Sequence, residues 1–240
     1  MISTPIDDYP LQDRGQDWPP LPEGAQRPLH EAVLAALGPV DGQRLLHVGC
    51  GVGLFMRAAE RRGALVAGTD TAVERLEIAR WALPDADLRE GDPDALPFDN
   101  GTFDVVTATG GAAVLTELVR VARPGGLVAV GSWVRPSGCW AETFVGHLRR
   151  LALLAPEPRA SWAPGLSVRA TGELPLATTY PSPGAAWTTM LGCEDILRAV
   201  RLVGESPVRA AFAESVAHEV AADGTLRLPK TFRYVVARAC

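Results

Sequence analysis

The stretch Arg44–Phe55, RLLHVGCGVGLF, decides the fold that the sequence predicts. Residues 44–48 form a mainly apolar run, and three glycines at alternate positions, Gly49, Gly51 and Gly53, separate it from a second apolar segment. This order is typical of a buried strand, a tight turn and the start of a helix. Because the turn lacks side chains, a ligand can lie against its backbone and the helix N-terminus. The alternative is that the turn needs glycine only for its backbone dihedral angles.

The segments on both sides of this stretch continue an alternation of strands and helices. Pro28 suits the first turn of a helix with an apolar stripe of Leu29, Val33, Leu34 and Leu37. Further strands are predicted over residues 64–69, 87–90, 103–108 and 127–133, and helices over 54–62, 73–83 and 114–123. Strands separated by single helices pair in parallel through right-handed crossovers, which predicts a doubly wound α/β sheet. Its ligand is expected outside the carboxyl ends of the strands.

The composition favours a globular protein of the cytoplasm. The chain has 240 residues, 47% of them hydrophobic, which is enough for one large domain with a substantial core. Its net charge of −5 gives no electrostatic reason to expect nucleic acid or an anionic membrane as a partner. The N-terminus lacks the pattern of a signal peptide, and no apolar run approaches the length of a membrane helix. The four cysteines lack metal-ligand spacing, so we expect no metal site.

Two aspartates that follow later strands narrow the class of ligand. Asp70 ends the strand VAGTD, where an acidic residue in nucleotide-binding sheets accepts hydrogen bonds from both ribose hydroxyls. Asp92, in GDPDALPFDNGTFDVV, follows another strand and is placed to accept a hydrogen bond from an exocyclic amine. Each aspartate alone is more often a turn or helix-cap residue. Together with the glycines, they favour an adenosine site.

The spacing of the glycines distinguishes between adenosine compounds. A dinucleotide-binding loop has the spacing G-x-G-x-x-G, because it holds a pyrophosphate at the helix N-terminus. Here the spacing is G-x-G-x-G, the loop contains no lysine or arginine, and the sequence G-x-x-x-x-G-K-[ST] is absent. An adenosine ligand without phosphates therefore fits the loop best, and a nicotinamide oxidoreductase is disfavoured.

The segments LLHVGCGVG, GTD, GDPDALPF, FDVV and RVARPGGLVAV follow one another over about residues 43–133. In order and spacing they resemble the motifs of class I S-adenosylmethionine-dependent methyltransferases, in the branch that acts on small molecules. The resemblance implies a seven-stranded, mostly parallel Rossmann-like sheet with an antiparallel edge strand and a helical cap inserted before the last strand. It also implies S-adenosylmethionine as cofactor and methyl transfer to a small-molecule acceptor, in bacterial secondary metabolism such as antibiotic biosynthesis.

The resemblance assigns expected roles to individual residues. The glycines would line the methionine portion of the cofactor, Asp70 would hold the ribose, and Asp92 with Pro93 would border the adenine. The expected cofactor-binding set is His47, Gly49, Cys50, Gly51, Gly53, Asp70, Thr71, Asp92, Pro93 and Thr107. The end of the fifth strand and the cap should face the acceptor, so the expected substrate-binding set is Trp133, Arg135, Trp140 and Trp187. No residue is assigned as a catalytic base.

Three departures from the family pattern keep a second function open. His47 stands where the family usually has an acidic residue, TATGGAAV replaces a longer loop that often carries histidines, and a proline-rich part shortens the helix before the sixth strand. A neutral histidine can accept a hydrogen bond but supplies no fixed negative charge. The alternative is therefore a methyltransferase-fold protein that binds S-adenosylmethionine or S-adenosylhomocysteine without methylating, such as a cyclase or a binding protein.

The predicted organisation is an irregular arm over residues 1–28 and one methyltransferase-like domain over residues 29–240. The arm is rich in proline, aspartate and glutamine, which disfavours a packed structure. Within the domain, residues 185–222 are expected to form the helical cap, and the sixth strand is expected over 166–170 or 174–180. The oligomeric state is open between a monomer and a homodimer.

Overall fold

The computed structural model of the chain describes residues 26–109, 115–134, 138–150 and 166–240. Most of the predicted N-terminal arm, Arg135 and the end of the TATGGAAV segment lie outside the described residues. Within the described ranges, the chain forms one sheet with helices packed on both of its faces.

The sheet has the strands β1 (Arg44–Val48), β2 (Leu65–Asp70), β3 (Asp87–Glu90), β4 (Phe103–Thr109), β5 (Ala122–Val134), β6 (Leu166–Tyr180) and β7 (Leu226–Ala239). Their order across the sheet is β3-β2-β1-β4-β5-β7-β6. The first five strands are mutually parallel, and β7 is antiparallel to both of its neighbours. The strand order reverses between β1 and β4, so the carboxyl ends of these strands form the crevice where open α/β sheets bind ligands.

This arrangement confirms the expected seven-stranded, mostly parallel sheet with an antiparallel final strand. The final strand lies one place inside the edge, because β6 pairs along its outer side. β6 runs continuously through both stretches predicted for it, residues 166–170 and 174–180. It contains Pro175, which cannot donate a ladder hydrogen bond, and an edge strand tolerates this loss best.

The helices are α1 (Arg27–Leu37), α2 (Leu54–Glu60), α3 (Val73–Ala82), α4 (Leu115–Val121), α5 (Trp140–Arg150), α6 (Pro183–Met190), α7 (Glu194–Val203) and α8 (Glu205–Val216). α1 and α2 pack on one face of the sheet, and α4 packs on the other. None of the described helices is long and apolar enough to cross a lipid bilayer.

The apolar stripe predicted from the sequence positions α1. Its four members are buried against the sheet and α2: Leu29, Val33, Leu34 and Leu37. Pro28 lies in the first turn, where its missing N–H is not needed, and the helix ends at Gly38, whose φ of +83° favours glycine. Burial of the stripe therefore fixes the start of α1 against the sheet.

β6 and β7 form a long antiparallel pair that extends beyond the parallel strands. Although α6, α7 and α8 lie between the two strands in the chain, we call this pair the hairpin. β5 ends at Val134, which pairs with Thr231, whereas β7 begins at Leu226. Residues 226–230 pair with β6 beyond the last β5 pair that the structure describes. Because β7 runs antiparallel to β5, this end of the hairpin projects past the carboxyl ends of the parallel strands, on the side of the crevice.

α5, α6, α7 and α8 pack around the projecting end of the hairpin as a second core. Its buried side chains include Leu148 from α5, Trp187 from α6, Ile196 from α7, Phe212 from α8 and Leu228 from β7. This core is separate from the clusters on the two faces of the sheet. Helices thus occupy most of the stretch predicted as a cap, and their covering of an acceptor stays a prediction.

A pair of leucine truncations tests the second core. Leu148 is fully buried in α5, whereas Leu202 in α7 is 65% exposed. Both residues lie in helices, so the two Leu→Ala changes differ mainly in the burial that they remove. We expect Leu148→Ala to lower the free energy of unfolding by about 2–5 kcal/mol and Leu202→Ala by less than about 0.5 kcal/mol. Urea unfolding followed by circular dichroism measures both losses, and equal losses would contradict this packing.

Candidate functional site

A cavity of about 310 Å³ opens at the carboxyl ends of β1 and β4. Its walls come from the start of α1, from His47, and from residues 49–52, which together with Gly53 form what we call the glycine loop. Phe55 continues this wall, and Trp133 and Phe232 line the side towards β5 and β7. The volume lies at the lower end of the roughly 300–1,000 Å³ typical of small-molecule sites. Its size and its place at the strand-order reversal make it the candidate ligand site.

The glycine loop has two separate reasons for its composition. Gly49, Gly51 and Gly53 have φ angles of +71°, +53° and +87°, a backbone conformation that favours glycine. A Cβ at Gly49 or Gly51 would meet no atom within 4 Å, so the loop leaves open space on that side. A Cβ at Gly53 would lie 3.0 Å from the Leu83 side chain, so this glycine also permits close packing against α3. The loop is thus open to a ligand at Gly49 and Gly51 and closely packed against neighbouring side chains at Gly53.

Asp70 ties the glycine loop to the end of β2 and is only 4% exposed. Its Oδ2 accepts a hydrogen bond from the Gly51 amide at 2.8 Å, and its Oδ1 accepts one from the Ala72 amide at 2.9 Å. Arg75 Nη2 lies 3.0 Å from the same Oδ1. A carboxylate has about four lone-pair sites, so these contacts leave room for about one further donor. Asp70 is not among the described residues that line the cavity, so its predicted hydrogen bonds to the ribose hydroxyls stay a prediction.

Asp92, Pro93 and Thr71 lie outside the set of described residues that line the cavity. Thr71 and Asp92 are exposed, and Asp92 Oδ1 accepts a hydrogen bond from the Asp94 amide at 2.9 Å. The Asp92 side chain therefore has the turn-forming contact that is common for aspartate. Its contact with an adenine stays a prediction.

The segment after Asp92 is held in place by a partly buried ion pair between Glu117 and Arg120. Glu117 accepts a hydrogen bond from the Leu96 amide at 2.8 Å. Arg120 donates hydrogen bonds to the carbonyl oxygens of Leu96 and Phe98 at 2.9 and 2.8 Å. The hydrogen bond from Arg120 is the main cause that lowers the pKa of Glu117. α4 thereby fixes the loop that the sequence places beside the adenine.

His47 is 3% exposed and lies in the cavity wall below the glycine loop. Its Nδ1 is 2.8 Å from Thr107 Oγ1, and its Nε2 is 3.5 Å from Thr109 Oγ1. The ring stacks on Phe55 with a centroid distance of 4.4 Å and an interplanar angle of 21°. Thr107 therefore reaches the site through His47, since its own side chain is fully buried.

Burial keeps both histidines of the cavity neutral. Desolvation lowers the pKa of His47 to about 3, and the nearby His30 adds to this effect. Desolvation also lowers the pKa of His30, to about 4. The edge of the His30 ring meets Phe55 at a centroid distance of 5.4 Å, so Phe55 lies between the two imidazoles. At neutral pH the rings present hydrogen-bonding groups without charge.

Cys50 lines the cavity but has no sign of a reactive thiolate. Burial and the charge of Asp70 raise the pKa of its thiol to about 12. The protonated Sγ lies 3.8 Å from the Gly51 carbonyl oxygen. A buried, protonated thiol behaves as a small apolar side chain.

Trp133 is the predicted substrate residue that the structure places in the cavity wall. Its ring meets the edge of Phe232 at a centroid distance of 5.4 Å. The ammonium group of Lys230, which is 8% exposed, lies 4.8 Å from the Trp133 ring centroid. This cation–π contact and the neighbouring ring fix the orientation of Trp133.

Trp140 and Trp187 lie outside the set of described residues that line this cavity, and the substrate-binding role predicted for them stays a prediction. They are 2% and 3% exposed and belong to the helical core around the hairpin. Trp140 Nε1 donates to the Pro229 carbonyl at 3.0 Å, and Trp187 Nε1 donates to Glu205 at 2.8 Å. The rings of both tryptophans are thus packed within the core, and both indole N–H groups already have acceptors. The sequence pattern alone does not distinguish such a core residue from one that contacts a ligand.

Several residues of the cavity were not predicted from the sequence. Gln26, Leu29 and His30 enter the wall from the start of α1, and Arg75 enters from α3. The apolar stripe of α1 identified Leu29 as a buried residue, but no local pattern indicates that this helix faces the ligand. That placement depends on long-range packing of α1 against β7.

The sequence of this chain is similar to those of known methyltransferases. Residues 46–130 match the family model described as a methyltransferase domain. The chain is 33% identical over 183 residues to the demethylmenaquinone methyltransferase of Renibacterium salmoninarum, covering 72% of this chain and 76% of that protein.

Solved structures are similar over most of the chain. The YcgJ protein of Bacillus subtilis has a TM-score of 0.56 at 14% identity and covers 90% of this chain and 97% of its own. A geranyl diphosphate C-methyltransferase from Streptomyces coelicolor, in complex with Mg²⁺, geranyl diphosphate and S-adenosyl-L-homocysteine, has a TM-score of 0.52 at 18% identity. That match covers 89% of this chain and 77% of the other. At these identities the likeness establishes the fold.

The two neutral histidines make stability depend on pH. Their pKa values in the folded state, about 3 and about 4, lie below the ordinary value of 6.5. Between about pH 6.5 and pH 4 the unfolded chain binds more protons than the folded chain, so the free energy of unfolding falls as the pH falls. By about pH 5 each histidine lowers it by about 1–2 kcal/mol.

A His30→Gln variant isolates one of these contributions, because glutamine does not titrate. We expect its free energy of unfolding to fall less than that of the wild type between about pH 7.5 and about pH 5. Urea unfolding at both pH values measures the difference, and the carboxylates contribute equally to the two proteins. The same pH dependence in both proteins would contradict the neutral state of His30.

Proposed function

This chain belongs to the class I S-adenosylmethionine-dependent methyltransferases, and we propose that it transfers a methyl group to a small, apolar acceptor. The observation that carries the proposal is one cavity in which the open glycine loop faces an aromatic wall of Trp133 and Phe232. The glycine side suits the polar amino-acid end of the cofactor. The aromatic side suits an apolar acceptor.

S-adenosylmethionine is the cofactor of this family, and the described residues fit its parts. The space beside Gly49 and Gly51 accommodates the amino-acid portion against the loop backbone. Asp70, at the base of the loop, has room for one ribose hydroxyl. Asp92 and Pro93 are proposed to border the adenine. When bound, the cofactor supplies a methyl group that is already activated on a positively charged sulfur.

The chain contributes mainly by orienting the reactants and excluding water. Leu29, Phe55, Trp133 and Phe232 give the cavity an apolar lining. None of the described residues that line it is an aspartate or glutamate. His30 and His47 have pKa values too low for proton abstraction near pH 7 to be efficient. We therefore propose an acceptor whose reacting atom is already nucleophilic.

These constraints favour an aromatic acceptor with hydroxyl groups, whose ring carbon or oxygen is already electron-rich. The aromatic wall supplies a surface on which such a ring can pack. The name of the Renibacterium relative, a demethylmenaquinone methyltransferase, suggests the same class of molecule. We further propose, from the sequence resemblance, a role in bacterial secondary metabolism such as antibiotic biosynthesis. A cytoplasmic location and the absence of a nucleic-acid partner stay predictions, and so does a homodimer.

Methyl transfer from radiolabelled S-adenosylmethionine tests the proposal. The acceptors to compare are a reduced short-chain naphthoquinone, a simple dihydroxybenzene and an aliphatic amine. We expect label to enter an aromatic acceptor with formation of an equal amount of S-adenosylhomocysteine. Trp133→Ala should raise the KM for that acceptor by about tenfold while cofactor affinity stays unchanged, because the ring contributes roughly 1–2 kcal/mol of apolar contact. Transfer only to the amine would contradict the aromatic acceptor.

The alternative is a protein of the same fold that binds the cofactor without methylating. Its motivation is His47, which is buried and neutral where the family usually has an acidic residue. The shortened loop that also motivates it ends outside the described residues. Tight binding of S-adenosylmethionine, with no labelled product from any aromatic acceptor, would favour this alternative.

Replacement of Asp70 tests the cofactor side of the cavity. Asp70→Ala removes the acceptor for the Gly51 amide and for the ribose, so we expect S-adenosylmethionine binding to weaken by about 1–3 kcal/mol. Asp85→Ala, at an exposed turn, is a matched control and should leave the affinity unchanged. Isothermal titration calorimetry measures both variants. Unchanged affinity in Asp70→Ala would refute this role of Asp70.

A further inference from the structure

The hydrogen bonds around Thr107 determine which nitrogen of His47 carries the proton. Thr107 Oγ1 lies 3.0 Å from the Leu46 carbonyl oxygen, and a carbonyl oxygen can only accept. The single hydroxyl hydrogen of Thr107 is therefore donated to Leu46. The contact of 2.8 Å between Thr107 Oγ1 and His47 Nδ1 must then have Nδ1 as the donor. Neutral His47 thus carries its hydrogen on Nδ1 and a lone pair on Nε2.

The orientation of this lone pair is fixed by packing on both sides of the ring. His47 stacks on Phe55 at a centroid distance of 4.4 Å, and Phe55 is itself 1% exposed. The contact of Nδ1 with Thr107 fixes the rotation of the ring beside β4, and Nε2 lies at the end of the same strand, next to Thr109 in the cavity wall. Nε2 is 3.5 Å from Thr109 Oγ1, which is the outer limit of a hydrogen bond. A hydrogen bond from Thr109 to the Nε2 lone pair is therefore weak.

We propose that Thr107 locks His47 in this tautomer so that Nε2 accepts a hydrogen bond from the α-ammonium group of the bound cofactor. The inference rests on the proposed function, since it needs the cofactor's amino-acid portion beside the glycine loop. His47 and the open space at Gly49 border the same cavity. In this inference Thr107 is a positioning residue, because it acts on the ligand through His47.

An ammonium group fits this site better than other ligand groups do. It offers hydrogen-bond donors without a lone pair, which complements an imidazole nitrogen that can only accept. None of the described lining residues is an aspartate or glutamate, so the cavity wall supplies no carboxylate for the ammonium group. Asp70, at the base of the loop, is not among the described residues that line the cavity, and its carboxylate already contacts the Gly51 and Ala72 amides and Arg75. A role for Nε2 as a general base is disfavoured, since burial lowers the pKa of His47 to about 3.

Two ligands separate the ammonium contact from the rest of the site. S-adenosylhomocysteine carries the amino-acid portion, whereas 5′-methylthioadenosine has the same nucleoside and sulfur without it. A variant that loses only the Nε2 contact should bind the first ligand more weakly and the second with unchanged affinity. Isothermal titration calorimetry on the full chain measures both dissociation constants.

Two changes at His47 place a hydrogen-bonding group at different distances from the backbone. The asparagine amide reaches about as far as Nδ1, so His47→Asn keeps a partner for Thr107 and removes the acceptor from the cavity. The glutamine amide reaches about as far as Nε2. We expect His47→Asn to weaken S-adenosylhomocysteine binding by about tenfold to a hundredfold, the range for a hydrogen bond to a charged group. His47→Gln should retain most of the affinity.

Changes at Thr107 test whether its hydroxyl group fixes the tautomer of His47. Thr107→Val removes the hydroxyl at nearly constant shape and should weaken S-adenosylhomocysteine binding by about tenfold or more. Thr107→Ser restores the hydroxyl and should restore the affinity. Thr178→Val is the matched control, because Thr178 is also a buried strand residue, in β6, and its hydroxyl has no hydrogen-bond partner among the described residues.

Nitrogen-15 NMR of the histidine rings gives a readout that does not depend on ligand binding. In the unliganded wild type we expect His47 to have a protonated Nδ1 and an unprotonated Nε2, and we expect Thr107→Val to lose this pattern and Thr107→Ser to keep it. The opposite tautomer in the wild type would overturn the inference. So would equal losses of affinity for both ligands in His47→Asn. Failure of the wild type to bind either ligand would instead contradict the proposed function.

Discussion

The hydrogen bond from the Gly51 amide to the Asp70 carboxylate is the constraint on which the site depends. It joins the glycine loop, after β1, to the end of β2, and the same carboxylate accepts the first amide of α3 at Ala72. Positive φ angles let the loop turn back towards Asp70, and the absence of Cβ atoms keeps its outer side open. One buried carboxylate thereby positions two strand ends and a helix start around a single cavity, so the cofactor meets a site that is already formed.

A second architectural feature shapes the acceptor side. The β6–β7 hairpin continues past the parallel strands, and its projecting end is buried by α5 to α8 as an independent core. Lys230 of β7 holds the ring of Trp133 through a cation–π contact, and Trp133 and Phe232 make a T-shaped contact with each other. Lys230, which is not among the described residues that line the cavity, therefore supports the aromatic wall of Trp133 and Phe232. This separation explains how the two tryptophans of the helical core can be essential for packing without lining the site.

The sequence predicted most of the fold because its signals there are local. The apolar runs, the glycine turn and the helical stripe at Leu29, Val33, Leu34 and Leu37 each depend on neighbours in the chain. The site was predicted in part. His47 and the glycines follow directly from strand β1, and Trp133 from the end of β5, whereas His30 and Arg75 reach the cavity through the packing of distant elements. Trp140 and Trp187 lie in the helical core and outside this cavity wall, and burial in a core produces the same apolar sequence pattern as contact with a ligand.

Calorimetric titration of the full chain with S-adenosylmethionine, S-adenosylhomocysteine and NAD is the most direct test of whether this cavity binds the methyl-donor cofactor. We predict that the first two ligands bind with micromolar dissociation constants and that NAD does not bind, because the glycine loop has the spacing G-x-G-x-G and contains no lysine or arginine to hold a pyrophosphate. The absence of binding by either adenosyl ligand, or tighter binding of NAD, would contradict the assignment of this cavity to the cofactor.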